Sequence, residues 1–377
     1  MANSDLGAYN ISDIQAIADA IRFKNGSDQL YKAEEMAQAI VDIQAGGYYD
    51  AHPYLDGKTH LWISVPDNAR YVVFNLQLKR RYGLIEEQYY PTGYIDWGDD
   101  TEHTPIISDR SNDQYATYTF THSYSLGGEY VITVYDTDPE FHNYHKIRAN
   151  GSLFIYNEDS NYILKAIELN HELASTGTAG EIGTNSAFGY DRALENFIIG
   201  PGCHELGRSA FNGCYNLKHV DLSNASDTLT INNYYMFNNC YSLKQIDISN
   251  DDINWTNHLT SVSDDYMFTN CMCLESIVLP TGSSFNTIRK NDFRYTYNLK
   301  TIVVPDNVTT IEANGFNGCS YLTSLYMKSS TPPSLGGVLG TVPSSLKIYV
   351  PRGSLTAYQT AENWSTYSSK MVEYDPE

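Results

Sequence analysis

Cations are scarce in this chain of 377 residues: 24 Lys and Arg stand against 45 Asp and Glu, a formal charge of -21. That imbalance excludes a general nucleic-acid binder, whose affinity comes from cations neutralising phosphates, and docking on anionic lipid. Long apolar runs are missing as well, so no membrane insertion by a helix is expected. Chemical motifs are equally thin. The sequence holds no GxxxxGK[ST], GxGxxG or GxSxG, and His171-Glu172 has no second His four residues on. His142 and His145, three apart, do not make a metal site on their own. The six cysteines form no CxxC pair and fit no zinc spacing. No catalytic residue, metal ligand or cofactor is therefore expected, and no enzymatic activity. Paired carboxylates leave no sequence signature, so a surface-polysaccharide hydrolase stays an alternative. What is plentiful is Tyr, 32 residues against 13 Phe and 4 Trp. Tyr supplies rigid contact area with a polar tip, which suits recognition.

The chain reads as multidomain and mainly β, in three zones. Residues 11–24 place Ile11, Ile14, Ile17, Ala18 and Ile21 on one helical face. Ser12 or Asn10 caps the start and Asn25-Gly26 stops it. Residues 32–44 repeat the pattern with Met36, Ala39, Ile40 and Ile43, and Gly46-Gly47 ends it. These spacings predict a short helical hairpin within 1–46. It is too small for a core of its own, hence a segment for attachment or oligomerisation; 47–57 reads as a linker. The string IADAIRFKNGSDQLYKAEEMAQAI at 17–40 resembles a segment common in tail proteins of phages and prophages of Gram-positive bacteria.

Period-2 alternation at 60–65, 70–76, 94–101, 118–124 and 129–134 predicts a small β-sandwich over 58–150. Ile95, Trp97, Gly98 and Asp99, followed by Phe120, His122, Tyr124, Tyr130 and Val131, resemble the PKD-type immunoglobulin-like domain. Asp100 stands where that motif has Gly. The resemblance implies a spacer or binding module. Asp96, Asp99 and Asp100 are calcium-type donors, but a hairpin turn with Asp bonding the local backbone is the expectation.

The third zone, 151–377, repeats. Six Phe stand six residues before a Leu: Phe188/Leu194, Phe211/Leu217, Phe237/Leu243, Phe268/Leu274, Phe293/Leu299 and Phe316/Leu322, at Phe intervals of 23, 26, 31, 25 and 23. Each Leu opens L-x-x-h-x-h, where h is apolar, and Leu164, Ile167 and Leu169 are an earlier, degenerate copy. One unit cannot bury its apolar side, whereas stacked units build a continuous ladder, so the period predicts a solenoid with one short strand per unit. Cys214, Cys240, Cys271 and Cys319 fall three residues after the Phe, with Asp191 and Thr296 at that place in two other units. They read as stacked buried thiols rather than disulfides. The outward positions of the strands offer Lys218, His219, Asp221, Lys244, Gln245, Asp247 and Tyr326. Tyr215, Tyr241 and Tyr297 follow the Cys position, and Tyr235 and Tyr266 precede the Phe by two. These twelve are the candidate receptor-binding residues, suited to a sugar ring or a protein edge.

The strings SAFNGCYNLKHVDLS, YMFNNCYSLKQIDIS, YMFTNCMCLESIVLP, NDFRYTYNLKTIVVP and NGFNGCSYLTSLYMK resemble the BspA-type leucine-rich repeat, and SLKIYVPRGSLTAYQTAENWSTYSSKM resembles that family's usual end. The resemblance covers roughly 180–377. It implies binding to proteins or cell surfaces and no enzymatic activity. With the 17–40 segment it implies a phage tail fibre or other tail-associated receptor-binding protein in the virion. Its N-terminal helices would join other tail or baseplate proteins, as a homo-oligomer such as a trimer, and its repeats would contact a bacterial surface glycan or protein. The start MANSDLGAYN lacks the basic opening and apolar core of a secretory signal, and no wall-sorting tail is visible, in keeping with release by lysis. The alternative is a secreted or surface bacterial adhesin of the same repeat family.

Overall fold

Alternating apolar residues of the middle zone pair into two antiparallel sheets. The computed structural model describes residues 56–67, 70–79, 93–107, 115–137, 145–147, 164–173, 188–232, 234–256 and 266–376. The helical hairpin expected within 1–46 and most of the linker lie outside the described residues, and the unit described here begins at Gly57. Its first strands are β1 (Thr59–Val65), β2 (Tyr71–Lys79), β3 (Gly93–Asp96), β4 (Thr104–Ile106), β5 (Tyr115–Ser123), β6 (Gly128–Asp136) and β7 (His145–Ile147). β1 runs antiparallel to β6 from Thr59↔Val134 to Val65↔Gly128, and β3 and β4 extend that sheet. β2 pairs with β5 and with β7 in the other sheet. Leu61, Phe74, Ile95, Trp97, Ile132 and Val134 are buried in the core.

The degenerate repeat copy is a true strand. β8 (Leu164–Leu169) lies antiparallel to β1 on one side and parallel to β10 (Asn196–Ile199) on the other. β9 (Glu172–Leu173) pairs parallel with β7. Both sheets therefore cross residue 150 into the repeat array. With β12 (His219–Asp221) the first becomes one seven-stranded sheet, ordered β12-β10-β8-β1-β6-β3-β4.

Beyond β10 each L-x-x-h-x-h string forms a short strand: β12, β14 (Gln245–Asp247), β16 (Ser276–Val278), β18 (Thr301–Val304) and β20 (Ser324–Met327). β22 (Lys347–Pro351) and β23 (Met371–Tyr374) continue the series. A second parallel series was not foreseen: β11 (Glu205–Leu206), β13 (Thr230–Asn232), β15 (Asn254–Thr256), β17 (Thr287–Ile288), β19 (Thr310–Ile311) and β21 (Ser334–Leu335). Each unit thus has two strands where one was expected. The extra ones are two or three residues long and bury little more than one apolar side chain, such as Leu206, Ile231, Ile288 or Ile311; these recur five or six residues before each Phe as the start of a unit, but one apolar residue shows no strand alternation.

Between the two series runs the aromatic ladder. Successive rings of Phe188, Phe211, Phe237, Phe268, Phe293 and Phe316 lie 5.5, 5.4, 5.3, 5.5 and 5.4 Å apart, nearly parallel throughout. Backbone bonds tie unit to unit at the same level: Phe211 N–H donates to Met236 C=O (3.0 Å) and Phe237 N–H to Met267 C=O (2.9 Å). At the C-terminal end α1 (Leu355–Thr360) and a 3-10 helix (Trp364–Lys370) pack against β22 and β23, burying Tyr358 and Trp364. Among the described residues no helix is long and apolar enough to cross a membrane.

Candidate functional site: the outer strand face

Strand alternation turns every second residue of the first series away from the ladder. At β8 and β10 this outer face is covered: Glu168, Asn196 and Ile198 are at most 4% exposed. From β12 onward it opens. Gln245, Asp247, Ser276 and Val278 are exposed, with His219 and Asp221 half-buried beside them. They line a groove of about 580 Å³ together with Val220, Leu222 and Ile246 and with Ser223, Ser249 and Asn250, which follow the strands. The groove lies where the seven-stranded sheet ends at β12 and β14 begins a separate pair with β16.

Its carboxylates are held in place. Asp221 Oδ1 accepts the N–H of Ser223 (2.8 Å) and Asp247 Oδ1 that of Ser249 (2.9 Å). Asn250 Nδ2 donates to Leu222 C=O (3.4 Å), bridging the two units. The structure thus brings together His219, Asp221, Gln245 and Asp247 of the twelve candidates. The serines were missed, although the repeated strings VDLS and IDIS carried the signal: Asp followed two residues later by Ser is an Asx-turn pattern.

The other eight lie elsewhere. Lys218 is exposed and pairs with Glu195 Oε2 at 2.6 Å, and Lys244 is exposed. Tyr215 and Tyr241 stack at 4.8 Å, and the Arg192 guanidinium sits 5.3 Å from the Tyr215 ring. Tyr297 tilts against Tyr295 at 5.8 Å, and Tyr235 against Tyr266 at 4.9 Å. Tyr326 stacks on Tyr349 at 4.3 Å.

The thiols form a column of their own. The Sγ atoms of Cys214, Cys240, Cys271 and Cys319 donate to the carbonyls of Phe188, Phe211, Phe237 and Phe293, one unit back, at 3.0 to 3.2 Å. All six cysteines are free. Burial pushes these four thiols up, Cys319 to about 12, which makes them poor nucleophiles. They are hydrogen-bond donors between units as well as buried apolar groups. At the same place Asp191 accepts the N–H groups of Ala193 and Leu194 (3.2 Å each), and burial raises its carboxyl to about 7.

Two further clusters have the outline of chemistry. In the expected turn, Asp96 Oδ1 accepts the N–H of Gly98 (2.9 Å), and Asp99 Oδ1 takes the Thr101 hydroxyl (2.6 Å). Asp99 Oδ2 meets His122 Nε2 at 2.7 Å, and that imidazole stacks on Trp97. Burial disfavours the Asp99 charge, yet the bonds from Thr101 and His122 hold its carboxyl below the usual range. The second cluster aligns a hydroxyl, an imidazole and a carboxylate: Thr59 Oγ1 to His171 Nδ1 at 2.8 Å, and His171 Nε2 to Asp136 Oδ2 at 3.3 Å. Thr59 and His171 are fully buried. Thr59 Oγ1 already accepts the N–H groups of Asn170 (3.0 Å) and His171 (3.1 Å). No substrate reaches this hydroxyl, and the cluster clamps β1 and β6 to the turn after β8.

Residues 180–323 match, in six copies, the family profile described as "BspA type Leucine rich repeat region". This stretch is therefore a BspA-type leucine-rich repeat array. No curated protein matches the chain. Similar solved structures include the T. pallidum leucine-rich repeat protein TpLRR, at 20% identity over 57% of this chain and 91% of that one, TM-score 0.32. The pneumococcal vaccine antigen PcpA is 16% identical over 57% of this chain and 68% of that one, TM-score 0.28. A leucine-rich repeat protein from Bacteroides ovatus is 16% identical over 59% and 74%, TM-score 0.20.

Proposed function

We propose that this protein is an adhesin-like recognition protein acting at a bacterial cell surface, which binds a protein or glycan on its outer strand face without turnover. One observation carries the reading. His219, Asp221, Gln245 and Asp247 line a single groove, on strands fixed by a buried Phe and Leu ladder. A stacked array of this kind is rigid, which lowers the ordering cost of binding. The resemblance to BspA-type repeats implies the same role, and the PKD-type resemblance of 58–150 adds a spacer or second binding module. The test is binding of the labelled chain to a panel of bacterial strains, beside a Gln245→Ala, Asp247→Ala double variant. Saturable binding to some strains, weakened about tenfold in the variant with its melting temperature kept, is expected. Binding to none, or equal binding by the variant, rejects the groove.

A second reading, a tail-associated receptor-binding protein carried in a virion, is favoured by residues 17–40 alone. It makes the N-terminal segment an oligomerising attachment to other tail proteins. Mass spectrometry of purified virions and of cell-surface fractions separates the two, because each reading requires the protein in one fraction and not in the other.

A further inference from the structure

The groove of the outer strand face is electrically one-sided. Asp221 and Asp247 end β12 and β14 at the same repeat position, where Ile198 precedes them and Val278 follows. Apolar residues on both sides show that the fold does not need carboxylates there. Like charges at adjacent strand positions repel, and neither Asp has an ion-pair partner among the described residues. Their Oδ1 atoms accept the N–H groups of Ser223 and Ser249, which leaves Oδ2 of each to accept from a ligand.

The surrounding charges do not cancel this. At the strand entries Lys218 pairs with Glu195 at 2.6 Å, and Lys244 stands beside Glu275, whose N–H donates to its C=O (2.8 Å). Beyond the strand exits the turns carry Asp227, Asp251 and Asp252 and no Lys or Arg. Over residues 219–288 the sequence holds eight Asp and Glu against Lys244 alone, a formal charge of -7. A field of this sign, on a chain of charge -21, draws cations and repels anions, a second copy of the chain included.

The lining then chooses among cations. It includes no Phe, Tyr or Trp, so an amino sugar finds no ring to stack on. A calcium ion wants about six to eight oxygens, and the described residues hold no cluster of three or more His, Cys, Asp or Glu for a metal. Arg fits better. Its guanidinium carries donors on separate edges. The two rungs step 5.4 Å apart at Phe211 and Phe237, so one such side chain reaches both carboxylates. Val278, exposed beside Asp247, offers apolar contact to a neighbouring residue.

We propose that the groove takes a basic segment of a partner protein, with an Arg over Asp221 and Asp247 and an apolar side chain against Val278. The inference rests on the reading of the groove as the recognition site and names what it recognises. Its test titrates the full chain with two labelled synthetic peptides, one alternating Arg with Val, the other Glu with Val, read by fluorescence anisotropy. The Arg peptide should bind at least about tenfold tighter and weaken with added salt. Asp221→Asn with Asp247→Asn keeps the Oδ1 acceptors of both turns and removes the charge. This pair should weaken the Arg peptide about tenfold at an unchanged melting temperature, and Val278→Thr alone about threefold. Glu129→Gln with Asp306→Asn removes the same charge away from the groove lining and should change the affinity less than about twofold. Equal binding of the two peptides, equal loss in both charge variants, or displacement of the Arg peptide by chitosan oligomers would each overturn the proposal. So would displacement by calcium at an ionic strength where sodium leaves the peptide bound. Strain binding that the Asn pair keeps, with no preference between the peptides, sinks the basic partner and leaves the groove reading standing.

Discussion

Asp191 occupies the place that Cys214, Cys240, Cys271 and Cys319 hold in other units, and its burial brings a titration into the physiological range. The folded carboxyl titrates near 7 against an ordinary 3.8, so the native state favours the protonated acid. Its contribution to stability is complete below about pH 4 and is lost as pH rises through 7, roughly 4 kcal/mol at most. Asp191→Cys restores the thiol of its neighbours, and the melting temperature of the variant should lose the decline between about pH 4 and 7 that this carboxyl gives the natural chain. Equal pH slopes in calorimetry would refute this. Backbone geometry supplies a second residue-scale prediction. Two residues after each Phe the chain turns left-handed: Tyr190, Gly213, Asn239, Asn270, Tyr295 and Gly318 have φ between 60° and 81°. A Cβ on Gly213 would also stand 2.6 Å from the Tyr190 ring. Gly213→Ala should therefore cost about 1–3 kcal/mol, measured by urea unfolding. This turn was illegible in the sequence because Tyr190 and Tyr295 stand where Gly or Asn would have announced it.

Strands of the first series were legible because each keeps two inward apolar residues behind a fixed Leu, as in Leu217, Val220 and Leu222. The second series was not: β11 and β17 are pairs of residues, and a pair carries no alternation. Nor was the partner of β1. Its bonds reach β8 about a hundred residues away, and pairing over such a distance leaves no local trace. The element that secures this joint is the buried Thr59 hydroxyl. Thr59→Ala would leave the N–H groups of Asn170 and His171 without their acceptor, a loss of about 2 kcal/mol or more. Denaturant unfolding checks the size, and Thr59→Ser, which keeps the oxygen, should recover most of it.

At the scale of the molecule, the middle zone does more than hold the repeats at a distance. β8 and β9 extend its two sheets into the array, so its strands cover the first rungs. A fragment of residues 151–377 would expose the edge of β8 and the apolar side chains behind it, an invitation to aggregate. It is expected to be insoluble or poorly cooperative in melting, whereas a fragment from residue 57 should unfold in one transition. Monomeric, cooperative behaviour of the shorter piece would show the joint to be dispensable. The groove was half legible at this scale: the repeat alignment placed its four polar side chains in register, but the covered face at β10 comes from packing that no period reports.

The even spacing of the phenylalanine column has a hereditary consequence. Within the column each ring stacks on the ring before and the ring after, so duplication or loss of one unit between Phe237 and Phe268 leaves both ends undisturbed. The reach of this protein is thereby a matter of copy number, adjustable in whole steps by recombination within its own gene, with no new folding problem to solve.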